Sequence, residues 1–152
     1  MDMQKILTEA AAQVGPSGQE MQVAEYFAAQ FRPLVDEVTV DALFNVIAHK
    51  RGTGPRIALF AHMDEISMMV TAVEEDGAIR LGNIGGVDPR ILPASRVWVH
   101  GRERLFGTVG ALPPHLMSAE DRKKNYDRKD LYVDVGLPGE RVRELVHVGD
   151  LV

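Results

Sequence analysis

Apolar residues at helical spacing open the chain. A first amphipathic helix is predicted over residues 2–14, where the apolar positions are Ile6, Leu7, Ala10, Ala11 and Val14. Gly15-Pro16 ends it, and Ser17 and Glu20 form a predicted capping box for a second helix. Val23, Phe27 and Phe31 give that second helix an apolar face, and Pro33 marks its end.

Strand patterns follow the two helices. Val38 and Val40 alternate with polar residues, residues 43–48 form a more apolar second strand, and residues 57–61 are an unbroken apolar run. Such a run is typical of a strand covered on both faces, as in a sheet enclosed by helices. Two helices followed by three strands favour the opening of an α/β or α+β domain.

Short strands and glycine-rich turns then predict a β-rich second region, a small barrel or sandwich. Its expected strands are residues 66–73, 78–84, 96–100, 105–111 and 131–135, followed by a helix over 138–146 and a last strand from residue 147. The charged segment 118–129 is expected to be an exposed loop or short helix. Trp98 has the opposite parity from Val97 and Val99, so it covers a barrel end or lies at an interface, and packing is the role we expect.

The composition is typical of a soluble globular protein and limits the classes of partner. The 152 residues suffice for one domain or two small ones. A net charge of -5 provides no basic patch for phosphates, so we expect no nucleic-acid partner. The absence of cysteine excludes a disulfide framework and fits a reducing, cytoplasmic location. Neither a signal-like start nor an apolar run of about 20 residues occurs, so we expect no membrane partner.

Two candidate site residues follow the apolar run at residues 57–61. His62 and Asp64 lie where ligands bind in open α/β sheets, beyond the carboxyl end of a strand. Residues two apart in an extended chain point to the same side, so Asp64 can hold one ring nitrogen of His62 while the other binds a metal. The alternative is a hydrogen-bonded structural histidine at a strand end, and spacing alone leaves both interpretations open.

Several segments, each weak alone, resemble one known family in the order in which they occur. They are Gly15-Pro16-Ser17-Gly18-Gln19-Glu20, residues 41–48, Ala61-His62-Met63-Asp64-Glu65-Ile66, Ile84-Gly85-Gly86-Val87-Asp88-Pro89, Pro113-Pro114-His115-Leu116, Leu131-Tyr132-Val133-Asp134-Val135-Gly136 and Val148-Gly149-Asp150. The chain is similar to the N-terminal part of the TET-type metallo-aminopeptidases, the forty-second metallopeptidase family. That family includes glutamyl aminopeptidases and proteins labelled endoglucanase M.

The resemblance implies a fold and a site. Residues 1–66 would be the first part of an α/β-sandwich catalytic domain, and residues 67–150 most of an inserted, β-rich, PDZ-like or barrel-like domain that serves dimerisation. It implies a peptide substrate, homo-oligomers and two divalent metal ions, zinc or cobalt, in the full-length family. By the same resemblance His62 is a metal ligand and Asp64 orients it.

The chain departs from the family pattern in two ways. Phe44 and Ser67 replace the family's usual glycines. The family's other metal ligands and its general-base glutamate would follow Asp150, so we expect a truncated member or a fragment that alone is inactive and binds no metal tightly. The rival interpretation is a non-enzymatic β module for self-association. Glycoside hydrolysis is less favoured, because it needs aromatic platforms and the chain has one Trp and three Tyr.

Overall fold

The chain forms two compact units in a computed structural model that describes residues 2–120 and 125–152. The first is Met1–Glu65 and the second is Ile66–Val152. Helices and antiparallel strands occur in both units, which confirms the mixed α/β class. The assignment of residues 1–66 to a catalytic domain and of residues 67–150 to an inserted dimerisation domain stays a prediction.

Two helices begin the first unit. Helix α1 (Met3–Ala10) starts at Asp2, whose carboxylate accepts a hydrogen bond from the backbone N–H of Lys5 at 3.1 Å. It is shorter than predicted because residues 11–13 continue only as turns, and none of its side chains is buried. Helix α2 (Met21–Phe31) packs against the strands that follow it.

The buried face of α2 differs from the predicted one. Its buried side chains are Val23, Ala24 and Ala28, whereas Phe31 is 38% exposed. Alanine leaves room for the helix backbone to approach the neighbouring strands closely, which is a contribution that a search for large apolar residues overlooks. The first unit therefore has a thin apolar core.

The predicted capping box at Ser17 and Glu20 is wrong. The N-cap of α2 is Glu20, without a side-chain cap, and the Glu20 carboxylate accepts a hydrogen bond from the backbone N–H of Gly18 at 2.8 Å. Gly18 has a φ of 87°, so the chain turns once more between Ser17 and the helix. The Ser17 hydroxyl is consequently available for a different partner.

Strands β1 (Glu37–Val40) and β2 (Val46–His49) form an antiparallel hairpin. The predicted start of the second strand at residue 43 is wrong, because Asp41 Oδ1 accepts hydrogen bonds from the backbone N–H groups of Leu43 and Asn45, each at 2.9 Å. These bonds hold residues 41–45 in a turn in which Phe44 has a φ of 63°. Phe44 thus occupies the left-handed region that favours glycine.

The expectation of a buried strand at residues 57–61 is also wrong. In this structure the segment belongs to no strand, and Ile57, Leu59 and Phe60 are 84%, 94% and 94% exposed. Among the residues that the structure describes, no strand hydrogen-bonds to this segment and no layer covers it. An apolar run needs such neighbours to be buried, and its composition alone does not supply them.

The second unit is a curled antiparallel sheet. Its strands are β3 (Ser67–Val73), β4 (Ile79–Ile84), β5 (Arg96–His100), β6 (Arg104–Ala111) and β7 (Leu131–Asp134), in the order β3-β4-β7-β6-β5. Met68 and Val152 exchange backbone hydrogen bonds of 2.9 and 2.8 Å, and the N–H of His100 donates to the carbonyl of Leu151 at 2.8 Å. Residues 149–152 therefore lie between β3 and β5 and close the sheet into the small barrel that the strand spacing predicts.

Inward-facing residues of this barrel form one apolar core. Helix α3 (Gly139–Leu145) contributes to it, in agreement with the predicted helix. The buried core residues are Met68, Val70, Ile79, Leu81, Leu92, Val99, Val109, Leu131, Val133, Val142, Leu145 and Val146. The last strand, predicted from residue 147, is reduced to bridges at Leu151. The second unit therefore has a far larger core than the first.

The structure describes the charged segment 118–129 in part. The segment includes residues 121–124, which lie outside the described residues, and a 3₁₀ turn (Arg128–Asp130) lies at its end.

No helix in the described part of the chain is both long and apolar enough to cross a membrane.

Trp98 lies outside the core and packs against neighbouring side chains at the surface. It is 44% exposed and meets Phe106 edge to face, with ring centroids 5.3 Å apart. The guanidinium carbon of Arg104 lies 4.2 Å from the centre of the Trp98 ring. These three residues form an outward aromatic cluster on the antiparallel pair of β5 and β6.

Because Phe44 occupies the left-handed region, we expect Phe44→Gly to protect the β1–β2 hairpin better than Phe44→Ala, by about 1 kcal/mol of opening free energy. Both variants remove the phenyl ring, so the difference in protection between them measures the backbone strain at position 44. Amide hydrogen exchange of β1 and β2 measures it. Ala48→Gly on β2 is the control and should weaken protection. Equal or better protection in the alanine variant would contradict the strain at Phe44.

Burial, and next the positive charge of Arg104, lower the pKa of His100 from its usual 6.5. We therefore expect its NMR titration midpoint to lie below 6.5. The unfolded chain binds the proton at higher pH, so the stability of the second unit that is present above pH ~6.5 falls as the pH drops through the folded pKa. Arg104→Gln should raise the midpoint only partly, since burial remains, whereas Arg96→Gln is the control. A midpoint of 6.5 or more would refute this account.

Candidate functional site

The ring of His62 is held by Asp64. The Nδ1 atom of His62 lies 2.9 Å from Asp64 Oδ1 and 3.1 Å from the backbone carbonyl oxygen of Asp64. Both neighbours are acceptors, so they favour the tautomer of the neutral ring that carries its proton on Nδ1 and its lone pair on Nε2. The His62 side chain is 86% exposed. This is the same-side arrangement expected from the spacing, although the ligand role of His62 and the orienting role of Asp64 stay predictions.

The second oxygen of Asp64 also has a partner. Ser17 Oγ donates to Asp64 Oδ2 at 2.5 Å, a length typical of a charge-assisted hydrogen bond. The hydrogen bond from Ser17 and next that from His62 lower the pKa of Asp64 below its usual 3.8, so its side chain is a carboxylate at neutral pH. The sequence prediction missed Ser17, because the Pro-Ser-Gly turn was interpreted as a helix start.

The order of these three residues excludes one familiar chemistry. In a serine-nucleophile triad the imidazole lies between the hydroxyl and the carboxylate, and it accepts the hydroxyl proton. Here Asp64 lies in the middle, and the Ser17 hydroxyl donates to the carboxylate. The Ser17 proton is thus directed at the carboxylate, and these three residues do not have the geometry of a serine-nucleophile triad.

Backbone contacts place the Ser17 turn beside Asp64. The N–H of Glu65 donates to the carbonyl of Gly15 at 3.0 Å, and Pro16 and Glu65 form a parallel bridge. A side chain at position 15 would place its Cβ 2.5 Å from Val23 Cγ1, so only glycine permits this close approach to α2. The residues on both sides of the Ser17–Asp64 contact are thus anchored.

A cleft of about 240 Å³ adjoins His62 within the first unit. Val23 and Phe27 of α2 form part of its apolar wall, and His62 and Glu65 are its ionisable residues. It is smaller than the roughly 300–1,000 Å³ that ligand pockets usually have. The cleft by itself therefore identifies no ligand.

The described residues provide one candidate metal ligand, His62, and a residue that can orient it. The Nδ1 atom of His62 is hydrogen-bonded to a carboxylate, which is usual for a histidine that binds metal through Nε2. Within residues 2–120 and 125–152, however, no group of three or more His, Cys, Asp or Glu side chains could hold a metal ion. A catalytic zinc ion needs several converging protein ligands, so His62 and Asp64 alone do not form a complete centre.

Comparisons with known proteins agree with the resemblance seen in the sequence. A family model described as M42 glutamyl aminopeptidase matches residues 45–152. The lysyl aminopeptidase of Pyrococcus furiosus is 41% identical over 107 residues, which are 69% of this chain and 31% of that protein. The match to the family model includes both His62 and Asp64.

Solved structures have the same fold. A TET aminopeptidase from a marine sediment Thaumarchaeota archaeon matches with a TM-score of 0.88 and 30% identity, over 97% of this chain and 43% of the other. The TET1 peptidase of Pyrococcus horikoshii matches with a TM-score of 0.83 and 34% identity, over 99% and 46%. The chain spans less than half the length of these relatives. Since the family model covers more than half of the chain, this protein belongs to the M42 glutamyl aminopeptidase family.

Proposed function

We propose that this chain is the His62-bearing part of a metal-dependent aminopeptidase that removes N-terminal residues from peptides. The observation that carries the proposal is the His62 ring, held at Nδ1 by Asp64, in a chain of an aminopeptidase family. The family description favours peptide over glycoside substrates.

His62 would hold one of two divalent ions, zinc or cobalt, and Asp64 would orient the His62 ring. When bound, a pair of such ions polarises the scissile carbonyl and supplies hydroxide near neutral pH. The part played by this chain is to direct Nε2 and to keep Nδ1 protonated. We propose that the 152-residue chain alone binds these ions weakly, since a single imidazole provides little of the affinity of a converging set.

The exposed apolar segment 57–61 also has a place in this proposal. Its composition is that of a strand covered on both faces, and its side chains are almost fully exposed here. We propose that residues 1–66 belong to the catalytic domain, and that in the whole protein further chain covers the apolar side chains of residues 57–61. The relatives, which are more than twice as long as the matched part, have additional chain.

A second role, self-association, is favoured by the aromatic cluster of Trp98, Arg104 and Phe106. Exposed aromatic and arginine side chains are the residues that most often dominate protein interfaces. The P. horikoshii TET1 peptidase assembles into a tetrahedron or an octahedral shell. We propose that residues 67–150 are an inserted dimerisation domain and that this cluster contacts another copy of the chain.

The peptidase proposal predicts activity when the missing ligands are supplied. We join residues 1–152 to the C-terminal remainder of the Thaumarchaeota TET aminopeptidase and assay hydrolysis of leucine, glutamate and lysine amides with zinc or cobalt. The chimera should be active and chelator-sensitive. His62→Ala should abolish the activity, and Asp64→Ala should reduce it about 10–100-fold, as for other residues that orient metal-ligating histidines.

The separate 152-residue chain is the reference in this assay and should show no turnover. His49→Ala, at an exposed histidine in the same unit, is the matched control and should leave the chimera active. A folded chimera that keeps its activity in the His62→Ala variant would refute the assigned ligand role.

The self-association proposal predicts a concentration-dependent oligomer in sedimentation velocity. Trp98→Glu should raise the dissociation constant about 30-fold or more, the effect expected for a residue at the centre of an interface. Ile91→Glu places the same charge at another exposed apolar position of the second unit, 69% exposed against 44% for Trp98, and should have little effect. An equal effect of both substitutions would argue against the aromatic cluster as the contact surface.

A further inference from the structure

We propose that Ser17 is a positioning residue for the metal-binding nitrogen of His62, acting through Asp64. The inference rests on the proposed function, which assigns His62 as a ligand. It adds a residue from a distant part of the chain, since Ser17 and Asp64 are 47 positions apart. The hydrogen bond described for the Ser17 hydroxyl goes to the Asp64 carboxylate, so its effect on the ring passes through that carboxylate.

The Asp64 carboxylate accepts a hydrogen bond on each of its two oxygens. A carboxylate can rotate about its last side-chain bond, and one hydrogen bond does not fix that rotation. Asp64 has a donor on each oxygen: Ser17 Oγ on Oδ2 at 2.5 Å and His62 Nδ1 on Oδ1 at 2.9 Å. Two donors on opposite oxygens define the carboxylate plane and reserve Oδ1 for the ring.

Ser17 lies in a turn that is held by several hydrogen bonds. The N–H of Gln19 donates to the carbonyl of Pro16 at 2.8 Å, and the N–H of Gly18 donates to the Glu20 carboxylate at 2.8 Å. Pro16 is fully buried, and it bridges to Glu65. These contacts hold the Ser17 hydroxyl near Asp64 before any ligand binds, which is the preorganisation that a functional site needs.

The orientation of the His62 ring depends on its hydrogen bonds to Asp64. The His62 side chain is 86% exposed, and the ring hydrogen bonds that the structure describes go to the side chain and carbonyl of Asp64. Packing therefore contributes little to the ring orientation. If Ser17 releases Oδ2, Asp64 becomes free to rotate and the preference for a proton on Nδ1 weakens. The nitrogen that should face the metal is then protonated in part of the molecules.

A purely local role for Ser17 fits the structure less well. The hydroxyl does not cap α2, whose N-cap is Glu20, and the turn is already held by the backbone and Glu20 contacts. A serine that served only the turn would need no contact with Asp64. The 2.5 Å hydrogen bond to the carboxylate is therefore the feature that the positioning role explains.

Nitrogen-15 NMR of the 152-residue chain tests this role without catalysis. Long-range proton–nitrogen correlation, recorded at a pH where the spectrum shows the His62 ring to be neutral, reports which ring nitrogen carries the proton. We expect the Nδ1–H form to be the main form in the wild type and the share of the Nε2–H form to rise in Ser17→Ala. Ser17→Thr keeps the hydroxyl and should restore the wild-type form. Asp64→Ala removes the carboxylate and therefore shows how far the tautomer shifts when its hydrogen bond to His62 is lost entirely.

Ser95→Ala is the matched control, because Ser95 also donates its hydroxyl, at 3.0 Å, but to the carbonyl of Ile91 in the second unit. The backbone amide spectrum of residues 2–65 shows whether each variant is folded. A folded Ser17→Ala variant with the wild-type tautomer, beside an altered Asp64→Ala, would refute the positioning role. If Ser17→Ala unfolds, the Ser17→Thr spectrum decides: a wild-type tautomer supports the role and an Nε2–H form overturns it.

A titration with Co²⁺ separates this inference from the proposed function. Paramagnetic broadening of the His62 ring signals should appear in the wild type, with an apparent dissociation constant about tenfold higher in Ser17→Ala, at the low end of the effect of residues that orient ligating histidines. If Co²⁺ leaves His62 unbroadened in every variant while the tautomer still changes, Co²⁺ binding by the 152-residue chain fails and the positioning by Ser17 stands. If broadening is equal in both while the tautomer is unchanged, Ser17 has no positioning role.

Discussion

The candidate site depends on one carboxylate, that of Asp64. Its two oxygens accept hydrogen bonds from the Ser17 hydroxyl and the His62 ring. The bond from Ser17 joins the turn before α2 to a segment 47 positions later. Few apolar contacts support this region, because the neighbouring residues 57–61 are exposed. Charge-assisted hydrogen bonds consequently carry the local order that packing provides elsewhere in proteins.

The two units illustrate different sources of order. In the second unit, residues 149–152 close the sheet, and the strands surround an apolar core with α3. In the first unit, Val23, Ala24 and Ala28 are the buried apolar side chains of α2, and the hairpin and the His62 segment are held largely by turns and polar contacts. We infer that the first unit opens more readily, since local stability follows buried apolar contacts.

The sequence predicted the second unit well because its patterns are local. Alternation of apolar residues determines β3 to β7 to within one or two positions, and Gly77, with a φ of 96°, makes the expected turn after Glu74. Two predictions failed where a side chain competed with the backbone pattern. Asp41 draws residues 41–45 into a turn, and the Ser17 hydroxyl binds Asp64 and does not cap α2.

By itself the sequence determined the family, the mixed α/β class and the pairing of His62 with Asp64, because motifs and two-residue spacing are properties of the chain alone. Tertiary structure alone decided three other features: the contact of Ser17, the outward position of Trp98 and the exposure of residues 57–61. Each depends on which distant segments are present to pair with or to cover a residue. A residue pattern encodes the capacity to be buried or bonded, whereas the partner that realises it is known only when the chain has folded.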